Sequence, residues 1–242
     1  MSARRLAFFV AAATVCWTIA SADTIQVDLS NLVNADLTTY TGGSNYPQHG
    51  GDLTIGTIPF LLATFGPNLD TGIIQTNGVQ TFSISTDVFG VSYAYVVVNS
   101  AWGSCGSDIG EIDFLGSSHT FSYKLTEGSN VRDHFNGQFC NSAPDVAATA
   151  AFGPGGSDRL DMQLITLPSD FANDTLQSIE FLGYGAGQNG APFLAAATLV
   201  TDSDSWIESD PSPVPEPSTY FALCAVTVAM LAARRFAARY TS

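Results

Sequence analysis

Between residues 23 and 208 apolar and polar side chains alternate one by one, a pattern that leaves little room for anything but an all-β fold. Phe121, Tyr123 and Leu125 share one side of a candidate strand, with Ser122, Lys124 and Thr126 on the other. Val91, Tyr93, Tyr95 and Val97 repeat the pattern, as do Phe82 and Ile84. Further strands are expected at 24–29, 57–64, 109–115, 146–152, 160–166, 176–182 and 193–200. Gly, Asn, Asp and Ser clusters such as Thr41-Gly42-Gly43-Ser44-Asn45 and Gly153-Pro154-Gly155-Gly156-Ser157 separate them. Short strands with one solvated face each bury the other by packing two sheets together, so a β-sandwich is expected. No repeat of fixed period and no internal linker is visible, which makes 23–208 one domain.

Both flanks depart from this pattern. Arg4 and Arg5 precede an apolar stretch from Leu6 to Ile19 and then Ala20-Ser21-Ala22. That is the layout of a secretory signal peptide over 1–22, with signal peptidase expected to cut after Ala22. At the other end a Pro-rich linker, 209–217, cannot extend a ladder or a helix interior. It is followed by an apolar run from Ser218 to Ala233 and a basic tail, 234–242, with Arg234, Arg235 and Arg239. Those 16 apolar residues rise about 24 Å as a helix, slightly short of a hydrocarbon core. Tyr220 and Phe221 would sit at the outer interface, and the arginines predict a cytoplasmic tail.

Val214-Pro215-Glu216-Pro217-Ser218-Thr219, the apolar segment and the terminal arginines together resemble the PEP-CTERM sorting signal of exported bacterial proteins. The resemblance implies a transmembrane sorting helix held transiently in the inner membrane. It also implies processing by an exosortase that recognises Pro215, Glu216 and Pro217. The Phe236-Ala237-Ala238 interruption between Arg235 and Arg239 departs from a contiguous basic end.

The portion between the flanks is strongly acidic. Residues 23–213 hold 21 acidic residues and only Lys124, Arg132 and Arg159 as bases, a net charge of −18. Such a surface stays soluble, repels polyanions and excludes nucleic acid as a partner. Within it, Val27-Asp28-Leu29-Ser30, Ile58-Pro59-Phe60, Asn99-Ser100-Ala101-Trp102-Gly103, Asn130-Val131-Arg132-Asp133-His134 and Arg159-Leu160-Asp161-Met162 resemble galactose-binding-like domains. That resemblance implies a jelly-roll β-sandwich, a fold much used for carbohydrate binding but not proof of it.

Cys16 and Cys224 fall in the flanking apolar segments, leaving Cys105 and Cys140 in the domain. In an oxidising compartment these two are expected to pair, stabilising the fold by roughly 3–4 kcal/mol. The bridge would pin the Trp102 segment to the loop after Arg132-Asp133-His134. Of His49, His119 and His134, only His134 sits among scarce polar groups, Arg132, Asp133 and Asn136. This loop is read either as a structural ion pair with an Asn136-Gly137 turn or as a ligand contact with Trp102. No G-x-S-x-G elbow selects a nucleophile, and no catalytic residue is assigned. Asp108, Glu111 and Asp113 are a weak candidate for Ca²⁺, without the EF-hand pattern, and alternation puts Glu111 and Asp113 on one solvent face. No cofactor is otherwise expected.

The expectation is therefore a non-enzymatic exported protein of the cell surface or extracellular matrix. A carbohydrate-binding module recognising exopolysaccharide is the alternative, and a polysaccharide-active hydrolase or lyase the third.

Overall fold

The computed structural model describes residues 23–40, 45–47, 50–65, 69–74, 80–137, 139–184 and 190–201. The signal peptide with Ala22, the Pro215-Glu216-Pro217 motif, the apolar segment 218–233, the basic tail and His49 lie outside them. Among the described residues no helix is long and apolar enough to cross a membrane.

The strands, in chain order, are β1 (Thr24–Gln26), β2 (Ala35–Asp36), β3 (Gly51–Ile55), β4 (Ile58–Leu62), β5 (Thr64–Phe65), β6 (Leu69–Ile74) and β7 (Gln80–Phe89). They continue as β8 (Tyr93–Ala101), β9 (Asp108–Gly116), β10 (Thr120–Thr126), β11 (Ala148–Phe152), β12 (Asp158–Thr166), β13 (Thr175–Gly183) and β14 (Ala191–Val200). A one-turn helix, α1, spans Leu37–Tyr40. The protein is all-β and its described strand pairs are antiparallel.

A large sheet runs β11-β12-β8-β14-β6-β2, with β1 also beside β14 and β5 beside β6; a smaller one runs β10-β9-β13-β7. The two enclose one core. Ile112 and Phe114 of β9, Ile179 and Phe181 of β13 and Ile84 of β7 meet Val96 and Val98 of β8 and Leu194 of β14. On the small sheet the expected alternation holds. Ile112 and Phe114 are buried while Glu111 and Asp113 share the outer side.

The large sheet departs from the expectation of one solvated face per strand. Every residue of β14 is buried, as is β8 from Ala94 to Ala101. The reason is a third layer. The β3–β4 hairpin, with Ile55 and Ile58 paired across the Gly56-Thr57 turn, lays Phe60 and Leu62 over the outer face. There they pack with Leu37, Tyr46, Val97, Met162 and Phe193 into a second core. A strand covered on both faces gains from an uninterrupted apolar run, which explains the run Tyr93–Val98. Ala195 is the extra residue of a bulge, since Leu194 faces Val98 and Ala196 faces Val97.

Candidate functional site

At one end of the sandwich β8 and β12 cease to pair beyond Val97 and Met162, and the chain after β10 enters the gap. Asp133 bridges to Ser100, Phe135 to Asp158, and Glu127 closes a turn against Val131. Three segments far apart in sequence thereby converge. The Ser100 N–H donates to the Arg132 carbonyl at 3.1 Å, the His134 N–H to that of Ser100 at 2.9 Å, and the Arg159 N–H to that of His134 at 3.0 Å. Cys105 and Cys140 form a disulfide across this end, with Cα atoms 5.1 Å apart. The bridge joins the β8–β9 loop to the segment after Arg132-Asp133-His134. Only glycine fits at 128, whose φ is 83° and where a Cβ would lie 2.9 Å from Cys140 Sγ.

The polar loop residues are engaged inward. Arg132 grips Asp161 with Nε and Nη2 at 2.7 and 2.8 Å, and Nη2 also donates to Thr149 Oγ1 at 3.0 Å. Asp161, wholly buried, further accepts from Asn99 Nδ2 at 2.8 Å and Thr149 Oγ1 at 2.6 Å. Such a bidentate buried pair is costly to break from one side. Arg159 Nε and Nη2 donate to the Asp133 carbonyl at 3.0 and 2.7 Å, and Nη1 reaches Asn136 Oδ1 at 3.4 Å. The Asp133 carboxylate is also fully buried and accepts the N–H groups of Phe135 at 2.7 Å and Trp102 at 2.8 Å. Burial pushes its pKa up despite these bonds.

His134 lies against Phe135 and Phe193, with its Nδ1 3.1 Å from the Tyr46 hydroxyl. Tyr46 gives its one hydroxyl proton to the Arg159 carbonyl at 3.0 Å, so His134 Nδ1 carries the proton that it shares with Tyr46. Burial pulls the imidazole pKa down to about 4, leaving it neutral at pH 7. Asn136 is exposed and Gly137 has φ 95°, the geometry of the turn expected there. Of the loop residues proposed to contact a ligand, Asp133 and His134 are thus interior groups, Arg132 is committed to Asp161, and Trp102 and Asn136 reach solvent.

The sequence reading missed Glu127. Only 1% of it is exposed, its Oε1 accepts from Ser100 Oγ, and its Oε2 has no hydrogen-bond partner. Gly103 and Gly190 wall the carboxyl so closely that a side chain at Gly103 would overlap it. Burial, more than the opposing Ser100 bond, pushes its pKa up to about 7, and neighbouring Asp133 adds to the rise. Glu127 is a proton-holding group with acid–base potency, enclosed away from solvent. Phe139 was also missed: it is 54% exposed beside Cys140, as Trp102 is 55% exposed on the facing loop.

The calcium candidates Asp108, Glu111 and Asp113 all stand on β9. Asp108 is tied to Thr126 Oγ1 at 2.6 Å and Lys124 Nζ at 3.5 Å, and Glu111 accepts from the Tyr184 hydroxyl at 3.2 Å. Asp113 lies between Ser122 and Glu180 in the ladder. The bulge at the Leu125–Thr126 step brings Asp108 opposite Thr126, onto the face that Glu111 and Asp113 share. Among the described residues no group of three or more His, Cys, Asp or Glu is arranged to hold a metal ion. His119, half-exposed at the start of β10, meets Asp174 Oδ2 at 3.1 Å.

The chain matches no protein-family model and none of the curated proteins with which it was compared.

Proposed function

We propose that this chain is an exported, non-enzymatic structural protein of the cell surface or extracellular matrix, delivered by its terminal segments. The observation that carries the reading is the Cys105–Cys140 bridge, because such a bond persists outside the reducing cytoplasm. A domain so bridged, with three bases against 21 acids over 23–213, suits an aqueous compartment beyond the membrane. The order β6-β14-β8-β12 over β7-β13-β9-β10 supports reading the domain as a jelly roll, the fold that the resemblance to galactose-binding-like domains implies. The commitment of Arg132 to Asp161, of Asp133 to the Trp102 and Phe135 N–H groups and of His134 to Tyr46 supports a bracing role for that loop rather than a reacting one.

Delivery rests on the two flanks. The signal peptide passes the chain across the inner membrane, the apolar segment 218–233 retains it, and an exosortase cuts near Pro215-Glu216-Pro217. The test replaces those three residues by alanine in the full chain. The variant is expected to accumulate in the membrane fraction while the parent reaches the surface or medium. Equal release of both would contradict the sorting reading.

A further inference from the structure

β14, the last strand of the domain in chain order, holds a central place in the large sheet. It lies between β8 on one side and β1 and β6 on the other, and each of its residues is buried. Leu194, Ala197 and Leu199 enter the core between the sheets, while Phe193, Ala196 and Val200 enter the one under the hairpin. Until β14 is in place neither core closes, and β1 lacks the strand it pairs with.

The first strand therefore waits for the last. Thr24 faces Val200, Ile25 faces Leu199 and Gln26 faces Thr198. At the ends of this ladder the Thr201 N–H donates to the Asp23 carbonyl at 3.2 Å, and the Val27 N–H to that of Ala197 at 2.9 Å. Ile25 and Leu199 lie midway between those contacts, so alternation makes them a pair that exchanges both backbone bonds. The side chains of β1 are exposed, so residues 24–26 are held by the ladder itself, with buried Val27 and Leu29 fixing the register behind them. Pairing that spans the whole domain forms late, because loop-closure entropy is met before the contact rewards it.

The expected cut after Ala22 falls at the start of this ladder. A protease that cuts there takes the chain on either side of the bond as an extended strand, using the same backbone groups. The Asp23 carbonyl, given to Thr201 in the folded domain, is then not free for an enzyme.

We propose that the folded domain is the product of signal-peptide cleavage and not its substrate: the cut comes before β14 docks, and docking of β1 on β14 closes the site. This rests on the reading of 1–22 as a signal peptide and adds the order of events, which that reading leaves open.

The experiment uses the full chain with 1–22 uncut, folded and oxidised in detergent, and treated with signal peptidase beside the same chain freshly diluted from urea. The folded chain is expected to be cut roughly tenfold more slowly or worse. Ile25→Pro removes a ladder donor and leaves Val27 and Leu29 in place. Its folded form is expected to be cut at the rate of the urea-treated parent, and the two urea-treated chains to be cut alike. Equal rates for the folded and urea-treated parent would overturn the proposal, as would an Ile25→Pro chain that resists like the folded parent. No cut in either state is a different failure: it would remove Ala22 as the cleavage position, and the ordering with it. Pulse-labelling in cells decides the matter even where the uncut chain does not fold. Chains of mature length that are still protease-sensitive are expected to appear first. A protease-resistant chain that keeps 1–22 and is shortened later would overturn the order.

Discussion

Glu127 and His134 are buried in the same end of the sandwich and titrate against each other. The folded chain keeps a proton on Glu127 up to about pH 7, whereas the unfolded chain releases it near 4.5. The folded state therefore holds the extra proton, and stability falls as pH rises through that window. His134 has the opposite sign. Unfolded, it takes up a proton near 6.5; folded, it stays neutral down to about 4, so stability falls as pH drops through that range. Ser100 and Asp133 face Glu127, while Asp158, Arg159 and Tyr46 face His134. Over the shared span the two slopes oppose. Glu127→Gln removes one of them, so the variant's stability relative to the parent is expected to rise with pH between 5 and 6.5. The slope is on the order of 1 kcal/mol per pH unit. Urea midpoints at stepped pH check this, and parallel profiles for the two proteins would contradict it. Sequence reading reached His134 because polar residues are scarce around it, but its burial depends on Tyr46, 88 residues away. Glu127 was illegible for the same reason: an acid before Gly128 looks like a solvated turn until Ser100, Gly103 and Gly190 close over it.

At the scale of elements, strand positions were legible wherever apolar and polar residues alternate, as in β9, β10 and β13. What alternation could not show was the second layer on the large sheet. The hairpin that supplies it begins with β3, whose Asp52 and Thr54 face outward and whose short apolar content left it unassigned. Cysteine arithmetic, by contrast, identified the bridge, because the domain contains only Cys105 and Cys140. The bridge spans a separation of 35 residues and holds a segment with only isolated bridges to the sheets. Replacing both cysteines by serine is expected to cost about 3–4 kcal/mol in the chain-entropy account. Chemical denaturation of the double variant measures it. A loss below about 1 kcal/mol would mean that the Arg132–Asp161 and Arg159–Asp133 contacts hold the segment unaided.

At the scale of the whole molecule, a robust acidic sandwich is set between two apolar segments that lie outside the described residues. The account treats both segments as transport devices and the sandwich as the product delivered. Its most direct test is the intact mass of the protein recovered from the cell surface or medium, before and after reduction. The predicted species begins at Asp23, ends between Val214 and Pro217, and gains about two mass units on reduction as the single disulfide opens. A recovered chain that still carries Ser242, or whose mass does not change on reduction, would contradict it.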